Sequence, residues 1–95
     1  MVVGTGQIKL ALFDVRSLKQ KRKITKSMIS RISNAFNISI AEVDLNDSHG
    51  WAMIGFSIVG NDVRQVNSKL DKVINMADDM GLAMIADSTI EIIHL

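Results

Sequence analysis

The spacing of apolar residues changes period along the chain, and this succession of periods limits the possible folds more than any other feature of the sequence. Successive side chains of a strand face opposite sides, whereas a helix repeats every ~3.6 residues. In chain order, the pattern predicts a strand at 7–15, a helix at 18–36, strands at 37–45 and 51–59, a helix after Asn61 and a strand at about 82–94. No proline interrupts these segments. The predicted order is therefore βαββαβ.

Short polar stretches mark where these segments begin and end. Ser17 and Asn61 precede the two helices, and both residue types cap helix N-termini through a side-chain oxygen. Gly81 follows the second helix, where a left-handed backbone is common. The sequence NDSHG at 46–50 is typical of a hairpin turn. In the second strand the apolar alternation shifts, which predicts a β-bulge near Ala41–Glu42.

The two βαβ connections decide how the segments pack. Because such crossovers are right-handed, both helices should cover the same face of one four-stranded antiparallel sheet. This arrangement is the α+β ferredoxin-like βαββαβ sandwich. A chain of 95 residues is long enough for one thin core, so residues 1–95 are expected to form a single domain.

Composition excludes several classes of protein. Hydrophobic residues make up 47% and charged residues 22% of the chain, which is typical of a globular domain. There is no cysteine, hence no disulfide and no thiolate metal site. The N-terminus does not resemble a signal peptide, and no apolar run approaches the ~20 residues that span a bilayer. We therefore expect a cytoplasmic protein that is not inserted in a membrane.

The small net charge of +1 conceals a strong asymmetry between the two halves of the chain. Residues 1–40 contain eight cations and one acid, a net charge of +7. Residues 41–95 contain three cations and nine acids, a net charge of −6. Such a dipolar molecule can steer an anionic partner onto one side of its surface.

Most of the positive charge lies in the segment RSLKQKRKITK at 16–26, at the start of the first predicted helix. The helix contains no acid, and its cations crowd the first turns, where the helix dipole disfavours them. Phosphate groups would offset that cost, so the segment predicts a nucleic-acid-binding surface. The residues assigned to it are Arg16, Lys19, Lys21, Arg22, Lys23 and Lys26, of which Lys21 flanks the buried side.

Two other interpretations of this segment stay open. The cations could simply keep an exposed helix face solvated, or they could contact an acidic protein or a lipid surface. Reading of base sequence is not expected, because an RNA-recognition motif stacks bases on exposed aromatic side chains. The strand WAMIGFSIVG does not match that motif, and aromatic residues are only 4% of the chain.

The uncovered face of the sheet is the second candidate surface. Phe13, Trp51 and Met53 are predicted to lie on it, together with Ala11, Val43 and Leu45. An apolar surface of this size is seldom left in water by a monomer, so we expect these residues to form a homodimer interface. The alternative is that the predicted register is wrong and these side chains belong to the core.

Residues with catalytic chemistry are few. His49 lies in the predicted hairpin turn, His94 is near the C-terminus, and Asp78–Asp79 closes the second helix. None has a spaced partner that indicates a metal site or a nucleophile and its base. We therefore expect no enzyme activity, no metal and no cofactor. The segment VGND at 59–62, before the second helix, leaves open the alternative of a dimeric regulatory module that binds a small molecule.

Several stretches together resemble one known family. They are VVG at 2–4, SLKQKR at 17–22, FNISIAEV at 36–43, Trp51, VGND at 59–62 and VNSKLDKV at 66–73. The chain resembles the YlxP-like family, small bacterial proteins of unknown function. The resemblance implies a ferredoxin-like fold, no assigned enzyme activity, and genes often adjacent to those of a translation initiation factor and a ribosome-binding factor. Together with the charge pattern, it predicts a non-enzymatic accessory factor that binds RNA or ribosomal particles in translation or ribosome assembly.

Overall fold

The computed structural model describes residues 1–95 and contains the six elements in the predicted order. They are β1 Val2–Ala11, α1 Leu18–Ala35, β2 Ser39–Asp44, β3 Trp51–Gly60, α2 Val63–Asp79 and β4 Met84–His94. The strands form one sheet in the order β2-β3-β1-β4, and every neighbouring pair is antiparallel. With two crossover helices, this is an α+β ferredoxin-like fold, as the sequence predicted.

The core lies between the sheet and the two helices. In each central strand alternate residues point into this layer, and the helices contribute residues spaced three and four apart. Its largest fully buried apolar side chains are Ile8, Leu10, Met28, Ile32, Ile54, Ile58, Leu70 and Val73. Gly4 allows the closest approach of α2 to β1, because a Cβ atom there would lie 2.5 Å from Cγ1 of Val66. The prediction that both helices cover the same face is thereby confirmed.

The first strand differs in extent from the predicted 7–15. It begins at Val2 and ends at Ala11, and it pairs with β3 and β4 over this whole length. Its inward positions include Gly4 and Gly6, and two glycines give no apolar signal. The missing side chains thus concealed the alternation in the first five residues of the strand.

The helix ends follow the expected chemistry, with one correction. Ser17 caps α1, because its hydroxyl accepts a hydrogen bond of 3.1 Å from the backbone N–H of Gln20. Asp62, not Asn61, caps α2: one carboxylate oxygen accepts bonds of 2.8 and 3.3 Å from two first-turn amides. Gly81 has a φ of 66° just past α2, the left-handed conformation predicted for it.

Candidate nucleic-acid interface

The outward side of α1 carries a row of four exposed cations. Lys21, Thr25, Met28 and Ile32 form the buried side of the helix. Steps of about 100° per residue then place Lys19, Lys23 and Lys26 on the side facing away from the sheet, with Arg22 at its margin. These four residues alone line a shallow depression of about 410 Å³ on the surface. We call them the α1 row.

The α1 row is not neutralised by neighbouring acids. The chain contains one ion pair, between Lys21 and Glu42, so no carboxylate oxygen lies within 4.0 Å of a nitrogen of the row. The helix has no acidic residue in its first turn and none elsewhere in its sequence. The four positive charges therefore line one depression without a carboxylate in ion-pair distance, and they add up to a local positive potential.

Arg16 lies just before α1 and is exposed, as expected for a member of the basic surface. Its backbone N–H donates to the side-chain oxygen of Gln20 at 2.7 Å. The hydroxyl oxygen of Ser17 accepts a hydrogen bond from the backbone N–H of Gln20. Two of the backbone amides around the helix start are therefore occupied by the chain's own side chains. Arg16 can add its guanidinium to the basic surface, but these amides are not free for an anion.

The assignment of Lys21 to the basic surface is wrong. Its exposed fraction is 1%, its Nζ atom lies 3.1 Å from Oε2 of Glu42, and the same ammonium donates to the backbone oxygen of Leu45. The reason is the position of Glu42, which faces inward from β2 and supplies a counter-charge below α1. Lys21 therefore fastens α1 to the edge strand instead of meeting a partner.

The same contact explains the irregularity of β2. The register shifts between Glu42 and Asp44, one step beyond the predicted position, and leaves Val43 exposed on the open face. Leu45 has a φ of 60°, and its carbonyl oxygen points to the Lys21 ammonium. The bulge thus keeps Glu42 inward and brings a second acceptor to the buried lysine.

A second cluster of cations lies on α2, and the sequence analysis did not single it out. Arg64, Lys69 and Lys72 are exposed, and with Gln65 and Ser68 they line a depression of about 300 Å³. The net charge of −6 for the second half of the sequence concealed these residues. Their placement on the side of α2 opposite its four buried residues was the signal that could have found them.

The open sheet face is more polar than predicted. Trp51 and Met53 lie on it, and Nζ of Lys9 stands 4.7 Å from the centroid of the Trp51 ring. Phe13 follows the end of β1 and is 68% exposed. Farther along, the face presents the polar side chains Thr5, Gln7, Ser39, Ser57, Thr89 and Glu91. The expected continuous apolar surface is therefore limited to the two ends of the sheet.

The remaining candidate residues are scattered. No group of three or more His, Cys, Asp or Glu side chains comes together in a way that could hold a metal ion. At the VGND segment, the Asp62 carboxylate occupies two of the amides that a small anionic ligand would need, and its own charge would repel such a ligand. Neither helix has both the length and the apolar character that crossing a membrane requires.

Fold and surface together define a small ferredoxin-like protein with a cationic helix layer. The chain belongs to the family described as "Protein of unknown function (DUF503)", whose model matches residues 3–90. It is 29% identical to the uncharacterized protein YlxP of Bacillus subtilis (strain 168) over 77 residues, which cover 81% of this chain and 84% of that protein. The resemblance to the YlxP-like family is thus confirmed over most of the chain.

Three solved structures show a weak similarity to the chain at low sequence identity. A REP-associated tyrosine transposase bound to a REP hairpin has a TM-score of 0.46 and 9% identity; the match covers 98% of this chain and 56% of that one. A protein from Arabidopsis thaliana has a TM-score of 0.46 and 14% identity, with coverage of 96% and 94%. A dimeric ferredoxin-like protein of unknown function from Thermobifida fusca has a TM-score of 0.42 and 14% identity, with coverage of 98% and 92%. The strand order and helix placement described above therefore define the fold.

Proposed function

We propose that the protein is a non-enzymatic accessory factor that binds RNA or ribosomal particles through α1, in translation or ribosome assembly in the cytoplasm. The observation that carries the proposal is the α1 row, four exposed cations that line a depression without any other residue and without a neighbouring acid. Arg16 extends the same surface at the start of the helix.

The position of the charges favours a phosphate partner over simple solvation. Cations in the first turns of a helix oppose its dipole, at a cost of about 0.3–1 kcal/mol each at low salt. An exposed helix that needs only solubility usually alternates both signs, since opposite charges three or four residues apart stabilise it. α1 has cations in its first turns and no acid with which they could pair along the helix. Contacts with phosphates recover the electrostatic cost and position a nucleic acid without reading its sequence.

The test is co-sedimentation with ribosomal particles and direct binding of RNA at several salt concentrations. With four phosphate contacts, the logarithm of the binding constant should fall with the logarithm of the salt concentration with a slope of roughly −3 to −4. Affinity should drop by about 10²-fold between ~50 and ~200 mM salt. In the α1 variant (Lys19→Gln, Arg22→Gln, Lys23→Gln and Lys26→Gln), the protein should no longer pellet with the particles.

A matched control removes the effect of net charge. The control variant (Asn37→Glu, Ser88→Glu, His49→Glu and Ala86→Glu) makes the same change of four charges at exposed positions outside the helices. It should bind like the wild-type protein. A folded α1 variant that still pellets with ribosomal particles would contradict the proposal. Binding to anionic vesicles or acidic peptides, with none to RNA, would instead assign the row to a lipid or protein partner.

We also propose that the open sheet face pairs with the same face of a second copy. Apolar side chains are exposed at both ends of the face, with Trp51 at one end and Val59 at the other. Between them Lys9 lies directly opposite Asp87 on the neighbouring strand, so a two-fold pairing can place each cation against the partner's acid. Sedimentation should show twice the mass of 10.5 kDa, and Trp51→Glu should return the protein to that mass.

A further inference from the structure

The strand β4 is the longest of the sheet, and it lies at an edge. Its inner side pairs with β1 over the whole length of that strand, and no other strand lies along its outer side. An unpaired edge presents a row of backbone N–H and C=O groups with which another extended chain can pair. The outer side of β4 is therefore a surface on which a further strand can be added.

The opposite edge of the sheet is protected against such pairing, whereas β4 is not. β2 has six residues, ends in a bulge and carries the inward charge of Glu42, and each of these features discourages strand addition. β4 has one bulge near its start, and its register with β1 is regular from Asp87 to His94. This part of β4 contains no proline, lysine or arginine. We call residues 88–94 the β4 edge.

The hydrogen bonds at the end of β4 show which of its backbone groups point outward. Met1 and Leu95 exchange two bonds of 3.0 and 2.8 Å, so they form a hydrogen-bonded pair of the antiparallel ladder. Such pairs alternate with non-hydrogen-bonded ones, so every second residue counted back from Leu95 bonds to β1. The backbone groups that point away from the sheet therefore belong to Ser88, Ile90, Ile92 and His94. Of these four amides, one has an acceptor in the chain, since Ser88 donates to Asp87 at 2.9 Å.

The side chains of the β4 edge determine which kind of chain it can receive. Ile90 lies opposite Gly6 and faces the helix layer, yet it is 39% exposed, so α2 leaves it partly uncovered. An apolar side chain placed beside Ile90 extends the core. On the other face, Glu91 is exposed and has no cation within 4.0 Å. Because the backbone of Glu91 bonds to β1, a residue opposite it across the edge belongs to a non-hydrogen-bonded pair, in which side chains lie closest.

We propose that the β4 edge binds an extended cationic peptide as an added strand, with apolar side chains on the helix side and a lysine or arginine opposite Glu91. Bonds to the outward backbone groups supply affinity, and the alternate side chains supply specificity. Charge complementarity favours this partner over a second copy of the chain. Residues 84–95 contain two acids and no lysine or arginine, so two copies would bring like charges together. The proposal concerns a surface other than α1 and does not depend on RNA.

The test measures fluorescence anisotropy of a labelled, acetylated peptide that alternates valine and lysine over about seven residues. The wild-type protein should bind this lysine peptide. A peptide of the same charge with methylated valine nitrogens lacks the N–H groups that face the edge, and it should not bind. A peptide with glutamate in place of lysine should bind more weakly than the lysine peptide. The two control peptides separate strand addition from attraction by charge alone.

Substitutions on β4 locate the bound peptide. Ile90→Pro removes an outward N–H that β1 does not use, and the loss of that bond alone should weaken binding by about 2- to 12-fold. Ile90→Val retains the N–H and should bind like wild type. Glu91→Lys should weaken binding of the lysine peptide by roughly 2- to 30-fold and strengthen binding of the glutamate peptide by a similar factor. An unfolded protein cannot show this gain.

The outcomes are distinct from those that test the proposed function. The α1 variant should bind the lysine peptide at least as tightly as wild type, because α1 contacts β2 whereas α2 contacts β4. Equal binding of the methylated peptide, or equal effects of Ile90→Pro and Ile90→Val, would overturn the added strand. If the wild-type protein does not bind the lysine peptide, the proposal is wrong, and a lower sedimenting mass of Ile90→Pro would then assign the edge to a second copy.

Discussion

Lys21 and Lys23 lie in the same turn of α1, but their surroundings are opposite. Lys21 is buried and paired with Glu42, whereas Lys23, two positions farther along α1, is exposed and has no acidic neighbour. The difference comes from a rotation of about 200° around the helix axis, which places one ammonium below the helix and the other above it. One run of lysines thus contains both a residue that holds α1 to the sheet and residues of a candidate binding surface. The two kinds differ only in the direction in which the side chain points away from the helix axis.

Among these predictions, shortening Lys21 should have the largest effect, and the effect is on the free energy of unfolding. Lys21→Ala leaves the Glu42 carboxylate partly buried without its cation, and removing one partner of a buried pair costs about 3–5 kcal/mol. Urea unfolding should show a loss of this size in the free energy of unfolding. RNA binding of the fraction that remains folded should be unchanged, because Lys21 does not reach the surface.

Two controls accompany this prediction. Lys23→Ala should change the free energy of unfolding by no more than about 0.5 kcal/mol, as expected for an exposed site. Replacing both partners, Lys21→Met with Glu42→Leu, removes both charges together and should recover most of the loss. If Lys21→Ala is as stable as Lys23→Ala, the buried ion pair does not hold α1 to β2.

The second prediction concerns RNA binding, in which Lys23 should matter and Lys21 should not. Lys23→Ala removes one phosphate contact, which should weaken RNA binding by roughly eightfold near ~100 mM salt and reduce the salt slope by about 0.9. Fluorescence anisotropy of a labelled RNA measures both quantities. Lys26→Ala, in the same row, should behave alike, and unchanged binding in both variants would remove the α1 row from the RNA contact.

A third prediction concerns a cation on the opposite face of the molecule. The ammonium of Lys9 lies over the Trp51 ring, and such contacts at exposed sites contribute about 0.5–1 kcal/mol. Lys9→Ala should therefore lower the free energy of unfolding by that amount and leave RNA binding unaffected. Lys9→Met, which keeps the apolar stem, serves as its control. A loss of RNA affinity in Lys9→Ala would show that the RNA reaches the sheet face as well.

The fold could be predicted because strand and helix periods repeat over many residues. The alternation of Ala52, Ile54, Phe56 and Ile58 located β3 and its inward face correctly. In β1 the alternation is incomplete, because glycines at inward positions provide no apolar side chain. The β2 bulge lies one step beyond its predicted position because Glu42 continues the inward series of Ile38 and Ile40, and a charged side chain gives no apolar signal.

The candidate site could be predicted only in part. Steps around a helix show that Lys21 flanks the buried side, but they do not show which residue of another element lies below it. Its partner Glu42 is 21 positions away and comes into reach through the register of β2 with β3. The cluster of cations on α2 is hidden for a different reason, because nine acids outnumber its three cations in residues 41–95, although the cations share the exposed side of one helix. Ion pairs and surface rows both depend on tertiary placement.

The smallest expected effect is a change in the free energy of unfolding, and its sign depends on whether RNA is bound. Lys19 lies in the first turn of α1, where its charge opposes the helix dipole and repels Lys23, one turn away. Lys19→Gln should therefore raise the free energy of unfolding of the free protein by about 0.5 kcal/mol, or the melting temperature by about 2–4 °C. With excess RNA the order should reverse, because the wild-type protein gains more from binding than the variant does. Thermal unfolding with and without RNA measures both signs. A variant that is more stable than wild type both with and without RNA would show that Lys19 does not stabilise a complex with RNA.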